Sequence, residues 1–251
     1  MEVSDYLHVL FRWIHIVAGI TWIGLLYFFN WVNSAFAPTM DGETKKKVVP
    51  ELLPRTLFWF RWGAAYTWIS GVVLLLLVFY HGGLMFEGGE GWSTAGLVMV
   101  AWTFLAVFVY DAIFKAVPNE KVGIAVGFLL TVLTTYLFKV YGGFGYRALI
   151  IHTGAMFGTI MAYNVWFRIW PAQQKIIMGA KNGTPVDAAL PKLAGMRSKH
   201  NTYLSVPLVW AMMNQHTVMF AGQWWSMAAA TALGWFVVWR LYGMSKKVKG
   251  F

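Results

Sequence analysis

Residues Phe11–Gly24 read FRWIHIVAGITWIG and lie inside an apolar run from about residue 7 to residue 36. That run exceeds the roughly 20 residues a helix needs to cross the hydrocarbon core of a bilayer. Within it stand Arg12 and His15, three apart and so on one face of a helix. A charge and an imidazole in such a segment are costly, and ionisable groups there tend to serve a function.

The rest of the chain has the same character. Of its 251 residues, 59% are hydrophobic and only 12% charged; it has 15 Trp and a mean hydropathy of +0.57. Hydropathy predicts an all-α, polytopic transmembrane helical bundle as a single integral domain over 1–251. It has seven spans, near 7–36, 56–80, 94–116, 121–140, 147–170, 200–221 and 224–243. The links APTMDGETKKKVVPELLPR and PAQQKIIMGAKNGTPVDAALPKLAGMRSK carry Pro, Gly, Asn and Lys and read as loops, with a short surface helix expected around 187–193. The opening MEVSDY is acidic, unlike a cleaved signal, so the first run is expected to remain as a helix.

The net charge of +10 follows from topology. If the first long link is cytoplasmic, 17 of the 20 Lys and Arg fall on the cytoplasmic side, leaving Arg12, Lys139 and Arg147 outside. This is the positive-inside pattern, with the N-terminus outside and the C-terminus in the cytoplasm. No nucleic-acid partner is needed to explain the charge. The basic tail Lys246, Lys247 and Lys249 is expected to anchor the last helix to anionic lipid.

Cysteine is absent, which excludes disulfides, iron–sulfur clusters and covalent haem attachment. Histidine remains as a ligand. At about 1.5 Å per residue, His15, His152 and His216 fall at a similar depth below the outer surface on three different spans. Each could instead tie its helix to a neighbour. Together they suit an axial pair for a noncovalent haem b, two of the three ligating one iron, with His81 at the surface leaving room for a second haem. Gly19 shares the face of His15. Gly154 and Gly158 follow His152 in a G-x-x-x-G, where close helix packing is the expected role of Gly158. Arg12 and Arg147 lie just outward of candidate ligands, placed to pair with haem propionates or to reach lipid phosphate. Zinc or copper is less suited, because the outer half offers only the surface acids Glu2, Asp5, Glu87 and Glu90. Asp111 and Lys115, four apart, are expected to pair. In the inner half, Asn30, Asn164, Arg168, His200 and Asn201 either tie helix ends together or line a pocket for a small planar molecule.

The segments RWIHIVAGITWIG, GAMFGTIMAYNVWFRIWPAQQ and RSKHNTYLSVPLVWAMMNQH resemble the membrane domain of the cytochrome-linked bacterial urate oxidases, the urate oxidase N-terminal domain family. The resemblance spans nearly the whole chain. It implies a redox protein that oxidises urate and passes electrons toward a cytochrome c, and it carries over His15, His152, His200, Asn201 and His216. Full-length members add a C-terminal c-type cytochrome; with none in these residues, the expected acceptor is a separate c-type cytochrome or a larger redox complex. Such a partner is expected to dock on the outer links around 82–92 and 141–146 through Glu87 and Glu90. A more distant likeness is to the HemJ-type protoporphyrinogen oxidases. The contrasting expectation is a non-catalytic accessory subunit of a membrane complex whose histidines only join helices.

Overall fold

The computed structural model describes residues 3–87, 91–117, 119–214 and 223–248. These form seven helical runs: α1 (Val3–Thr39), α2 (Gly42–His81), α3 (Thr94–Ala116), α4 (Glu120–Val140), α5 (Tyr146–Asn182), α6 (Ala189–Asn214) and α7 (Ser226–Ser245). The first five are long and apolar enough to cross a membrane, compatible with a multi-pass membrane protein. The first half of α6 carries Lys192, Arg197 and Lys199, which lowers its hydropathy.

Two links expected as long loops are largely helical. α2 already begins at Gly42, because Asp41 caps it: the carboxylate accepts hydrogen bonds from the Thr44 backbone N–H and hydroxyl, both at 2.9 Å. Pro50 and Pro54 lie inside α2 without ending it. α5 runs through Pro171 to Asn182. Just before that proline it widens into a π-helical turn over Val165–Ile169, where Trp170 N–H reaches back to the Val165 carbonyl. A wider turn relieves the clash between a proline ring and the preceding turn. α5 ends at Gly183, whose φ of +64° suits glycine. Asp187 then accepts from Ala189 N–H at 2.9 Å and opens α6, so the short helix expected at 187–193 is part of a longer one.

Contacts group the described residues into two compact units: 1–9, 71–160 and 204–235 in the first, 10–70, 161–203 and 236–251 in the second. In the first unit, Phe86 and Phe144 form an antiparallel bridge and Gly145 N–H bonds the Met85 carbonyl at 2.8 Å, joining the links after α2 and α4. Phe138 stacks on Phe144 at 5.0 Å. Asp111 and Lys115 pair at 2.8 Å as expected. α7 lies against the proline of α6: a Cβ on Gly234 would sit 2.9 Å from Pro207 Cδ.

In the second unit α1 and α2 meet at Gly63, where a Cβ would come within 3.2 Å of the Trp22 backbone nitrogen and 3.4 Å of the Ala18 carbonyl oxygen. Backbone cannot yield as a side-chain tip can, so Gly63→Leu is expected to force the helices apart at a cost of about 1–3 kcal/mol. A thermal melt in detergent checks this; an unchanged midpoint would show the contact is loose.

Candidate functional site

His15 is half-buried on α1 and turned onto α2. Its Nδ1 lies 2.9 Å from the Thr67 carbonyl oxygen and 3.2 Å from Ser70 Oγ. A carbonyl can only accept, so Nδ1 carries the proton and Nε2 keeps its lone pair. Ligating histidines usually have this arrangement, the second nitrogen held by a backbone carbonyl. Gly19, one turn on, has room: a Cβ there would be 3.8 Å from Thr67 Cγ2.

His152 belongs to the other unit and is fully buried on α5. Its Nδ1 donates to the Ala148 carbonyl, one turn back, at 2.7 Å, and its Nε2 accepts from the Tyr80 hydroxyl at 3.0 Å. Phe144, Tyr80, Phe79 and Phe138 surround the ring at centroid distances of 4.9, 5.7, 6.2 and 6.2 Å. Its tautomer also leaves the lone pair on Nε2, but Tyr80 stands on that lone pair. A haem iron therefore fits the donor chemistry of both histidines. It fits the space at His152 only once Tyr80 has withdrawn.

Tyr80 lies in a π-helical run, Leu75–His81, that ends α2. His216 falls outside the described residues. His81, Arg12 and Arg147 are exposed. Of the two glycines after His152, Gly154 makes the tight contact, where a Cβ would lie 2.9 Å from Ala211 Cβ; at Gly158 the nearest atom, Leu208 Cδ1, is 3.9 Å away. The packing role expected of Gly158 belongs to Gly154.

The inner polar residues meet as helix ties. Asn164 Nδ2 donates to Asn201 Oδ1 at 2.8 Å, and Asn201 Nδ2 to the Met161 carbonyl at 2.9 Å, joining α5 to α6. Asn30 sits in a π-helical run of α1, Phe28–Asn33. It donates to Ser198 Oγ and accepts from Tyr242, each at 2.8 Å, joining α1 to α6 and α7. Arg168 instead donates to Tyr163 on its own helix at 3.1 Å. His200 is buried, as is Arg197, 1% exposed. Arg197, His200 and Asn201 share one buried face of α6 by their spacing.

Glu87 has a structural task. Its Oε1 accepts from Tyr146 N–H at 2.7 Å at the start of α5, and its Oε2 from Lys139 Nζ at 3.2 Å. The Tyr146 N–H above all, then Lys139, holds its pKa below the ordinary 4.5. A depressed carboxylate stabilises the fold above its unfolded pKa, and the contribution is lost as pH falls through the folded value. Glu87→Ala is therefore expected to lower the melting midpoint at neutral pH, by about 0.3–1 kcal/mol for an exposed helix-terminal charge. It is also expected to flatten the acid limb below about pH 4.5. Parallel wild-type and variant profiles would remove this role.

These histidines, glycines and asparagines stand on segments that match a known family. The model described as Urate oxidase N-terminal matches residues 1–48 and 40–250. The chain belongs to the urate oxidase N-terminal family. No curated protein and no solved structure matched. The family's reach over nearly the whole chain takes in both histidine sites and the inner asparagine ties.

Sequence reading missed Thr67, Ser70, Tyr80, Ser198 and Tyr242. Each is a hydroxyl or carbonyl partner far away in sequence, such as 72 residues between Tyr80 and His152, and no local pattern marks them.

Proposed function

We propose that this chain is a membrane-embedded redox protein of the urate oxidase type, holding haem b noncovalently and passing electrons toward a c-type cytochrome or a larger membrane complex. The observation that carries the reading is His15: an imidazole in an apolar helix, with Nδ1–H fixed on the Thr67 carbonyl and Nε2 directed away from it. Haem would supply one-electron transfer. The protein's part is to fix the imidazole tautomer, through Thr67 for His15 and through Ala148 for His152. Arg12 and Arg147 would pair with propionates as charge-assisted donors. Buried Arg197 and His200 offer a cation and an imidazole to a planar anion such as urate. The test is a visible spectrum of the detergent-purified protein, oxidised and then dithionite-reduced, after expression with ample haem supply. A b-type difference spectrum is expected; a colourless protein would sink the reading.

A second reading is a cofactor-free accessory subunit, favoured by one observation: both nitrogens of His152 are already hydrogen-bonded within the protein. That is how a histidine that joins helices behaves.

The orientation belongs to the same proposal: N-terminus outside and C-terminus in the cytoplasm of a bacterial inner membrane, supported by the 17-to-3 division of basic residues. The chain has no cysteine, so single cysteines report cleanly. Lys45 is exposed, and Gly91 has open space where a Cβ would go. An impermeant thiol reagent on intact spheroplasts is expected to label Gly91→Cys and spare Lys45→Cys. The reverse pattern would invert the topology. Docking of a basic cytochrome on the outer links would rest more on Glu90 than on Glu87, whose carboxylate is engaged by Tyr146 and Lys139.

A further inference from the structure

A cleft of about 660 Å³ opens in the second unit where the end of α7 faces α6 and the turn of α1 that follows its π-helical run. Its lining brings together Lys199 of α6 with Arg240, Lys246 and Lys247 of α7 and the turn after it. Among the described residues no carboxylate lines it, and no Asp or Glu occurs in the sequence after Asp187, a stretch that holds seven Lys and Arg. Apart from Ser34 and Ser245, the remaining walls are apolar or aromatic. Trp239 and Met244 are each 58% exposed, and Tyr203 and Tyr242 stack at 5.9 Å. The hydrogen bond from Tyr242 to Asn30, 2.8 Å, holds one wall in place. The Arg240 guanidinium lies 6.0 Å from the Trp239 ring centroid, so cation and apolar surface are neighbours.

We infer that this cleft is a binding site for an anionic phospholipid, its phosphate among the four cations and its acyl chain along Trp239 and Met244. Two observations commit the site to a lipid rather than a free phosphate. A small anion would use the cations and leave the exposed indole and thioether idle, whereas an amphiphile uses both. And α7 exposes Phe236 and Trp239, at 56% and 58%, beside the cations, where a chain that spans a membrane meets lipid tails. Basic pockets between membrane helices commonly take such headgroups. Lys246 and Lys247 also suit the negative end of the α7 dipole. The dipole gives no reason for Lys199 or Arg240, which stand on another helix and a turn further back.

The test uses the intact chain in a neutral detergent, with binding of phosphatidylglycerol, cardiolipin and phosphatidylcholine read by native mass spectrometry and thermal shift. Wild type, with four cations, is expected to bind the two anionic lipids on the order of several hundredfold more tightly than phosphatidylcholine. In Arg240→Gln/Lys246→Gln/Lys247→Gln that preference is expected to weaken on the order of 100-fold, at roughly a factor of five per cation. All three side chains are exposed, so the fold is expected to persist. Lys246→Gln/Lys247→Gln, expected to weaken it by about 30-fold, gives a milder variant. The charge-matched control Lys45→Gln/Lys46→Gln/Lys47→Gln is expected to keep wild-type preference. Equal loss in the control would mean diffuse electrostatics and overturn the site. No headgroup preference in wild type, or displacement of the lipid by millimolar inorganic phosphate, would overturn it as well.

Discussion

His15→Ala protein is expected to purify with less than a tenth of the wild-type haem, whereas Thr67 and Ser70 keep their hydrogen bonds within α2. The asymmetry between His15 and His152 gives this experiment its resolving power. His15 presents an Nε2 lone pair, while its Nδ1–H faces the Thr67 carbonyl and Ser70 Oγ. Its removal deletes a proposed ligand and a part-buried Nδ1 hydrogen bond, worth about 1 kcal/mol. His152 is buried on all sides and bonded through both nitrogens. Its replacement by Ala is expected to cost about 2–4 kcal/mol, from the cavity and from the unpartnered Tyr80 hydroxyl. Tyr80→Phe separates the two readings of His152. If Nε2 binds iron, Tyr80 has already withdrawn in the loaded protein, and Tyr80→Phe leaves spectrum and stability near wild type. If His152 only joins helices, Tyr80→Phe strands a buried lone pair at about 1–3 kcal/mol and leaves any haem spectrum untouched. Intact haem content in both His15→Ala and His152→Ala would remove the two as ligands.

The helical runs were legible because apolar runs of about 20 residues or more have few other uses. Their ends were not. Lys45–Lys47 with Pro50 and Pro54 read as a loop, yet Asp41 and Thr44 form a cap that carries α2 through both prolines. The residues of that cap stand in DGET, whereas the Pro, Gly, Asn and Lys of the link pointed to a loop. Pro171 misled in the same way, since a π-helical turn lets α5 pass it. The three π-helical runs also displace side chains from the 3.6-residue period, so neither Asn30 nor Tyr80 lies where an ideal helix would place it. The histidines could be picked out by their cost in an apolar span, but their partners could not. Thr67, Ser70 and Tyr80 are ordinary residues made specific by tertiary contact alone. Glu87, read as a docking acid, also has a structural task that its place in a surface link did not reveal: it caps α5.

Asn201→Leu is expected to destabilise the protein by about 1–3 kcal/mol, the cost of leaving the buried Asn164 amide N–H without its acceptor. Both asparagines are fully buried, and they join α5 to α6 at 2.8 Å. Polar contacts between membrane helices are often worth only about 0.6 kcal/mol, because the unfolded helices find other partners in the membrane. The Asn201 amide exceeds that average on structural grounds: it is bonded on both sides, accepting from Asn164 and donating to the Met161 carbonyl. Asn164→Leu removes only the first of these bonds and is expected to cost less. The double variant is expected to cost less than the sum of the singles by about 0.5–2 kcal/mol, because the second substitution removes a group the first had already orphaned. Melting midpoints of the four proteins close this cycle. Strict additivity would mean that the 2.8 Å contact carries no energy. Spectral or ligand-affinity changes in the singles without loss of stability would instead return these residues to a substrate pocket, with Arg197 and His200 beside them on α6.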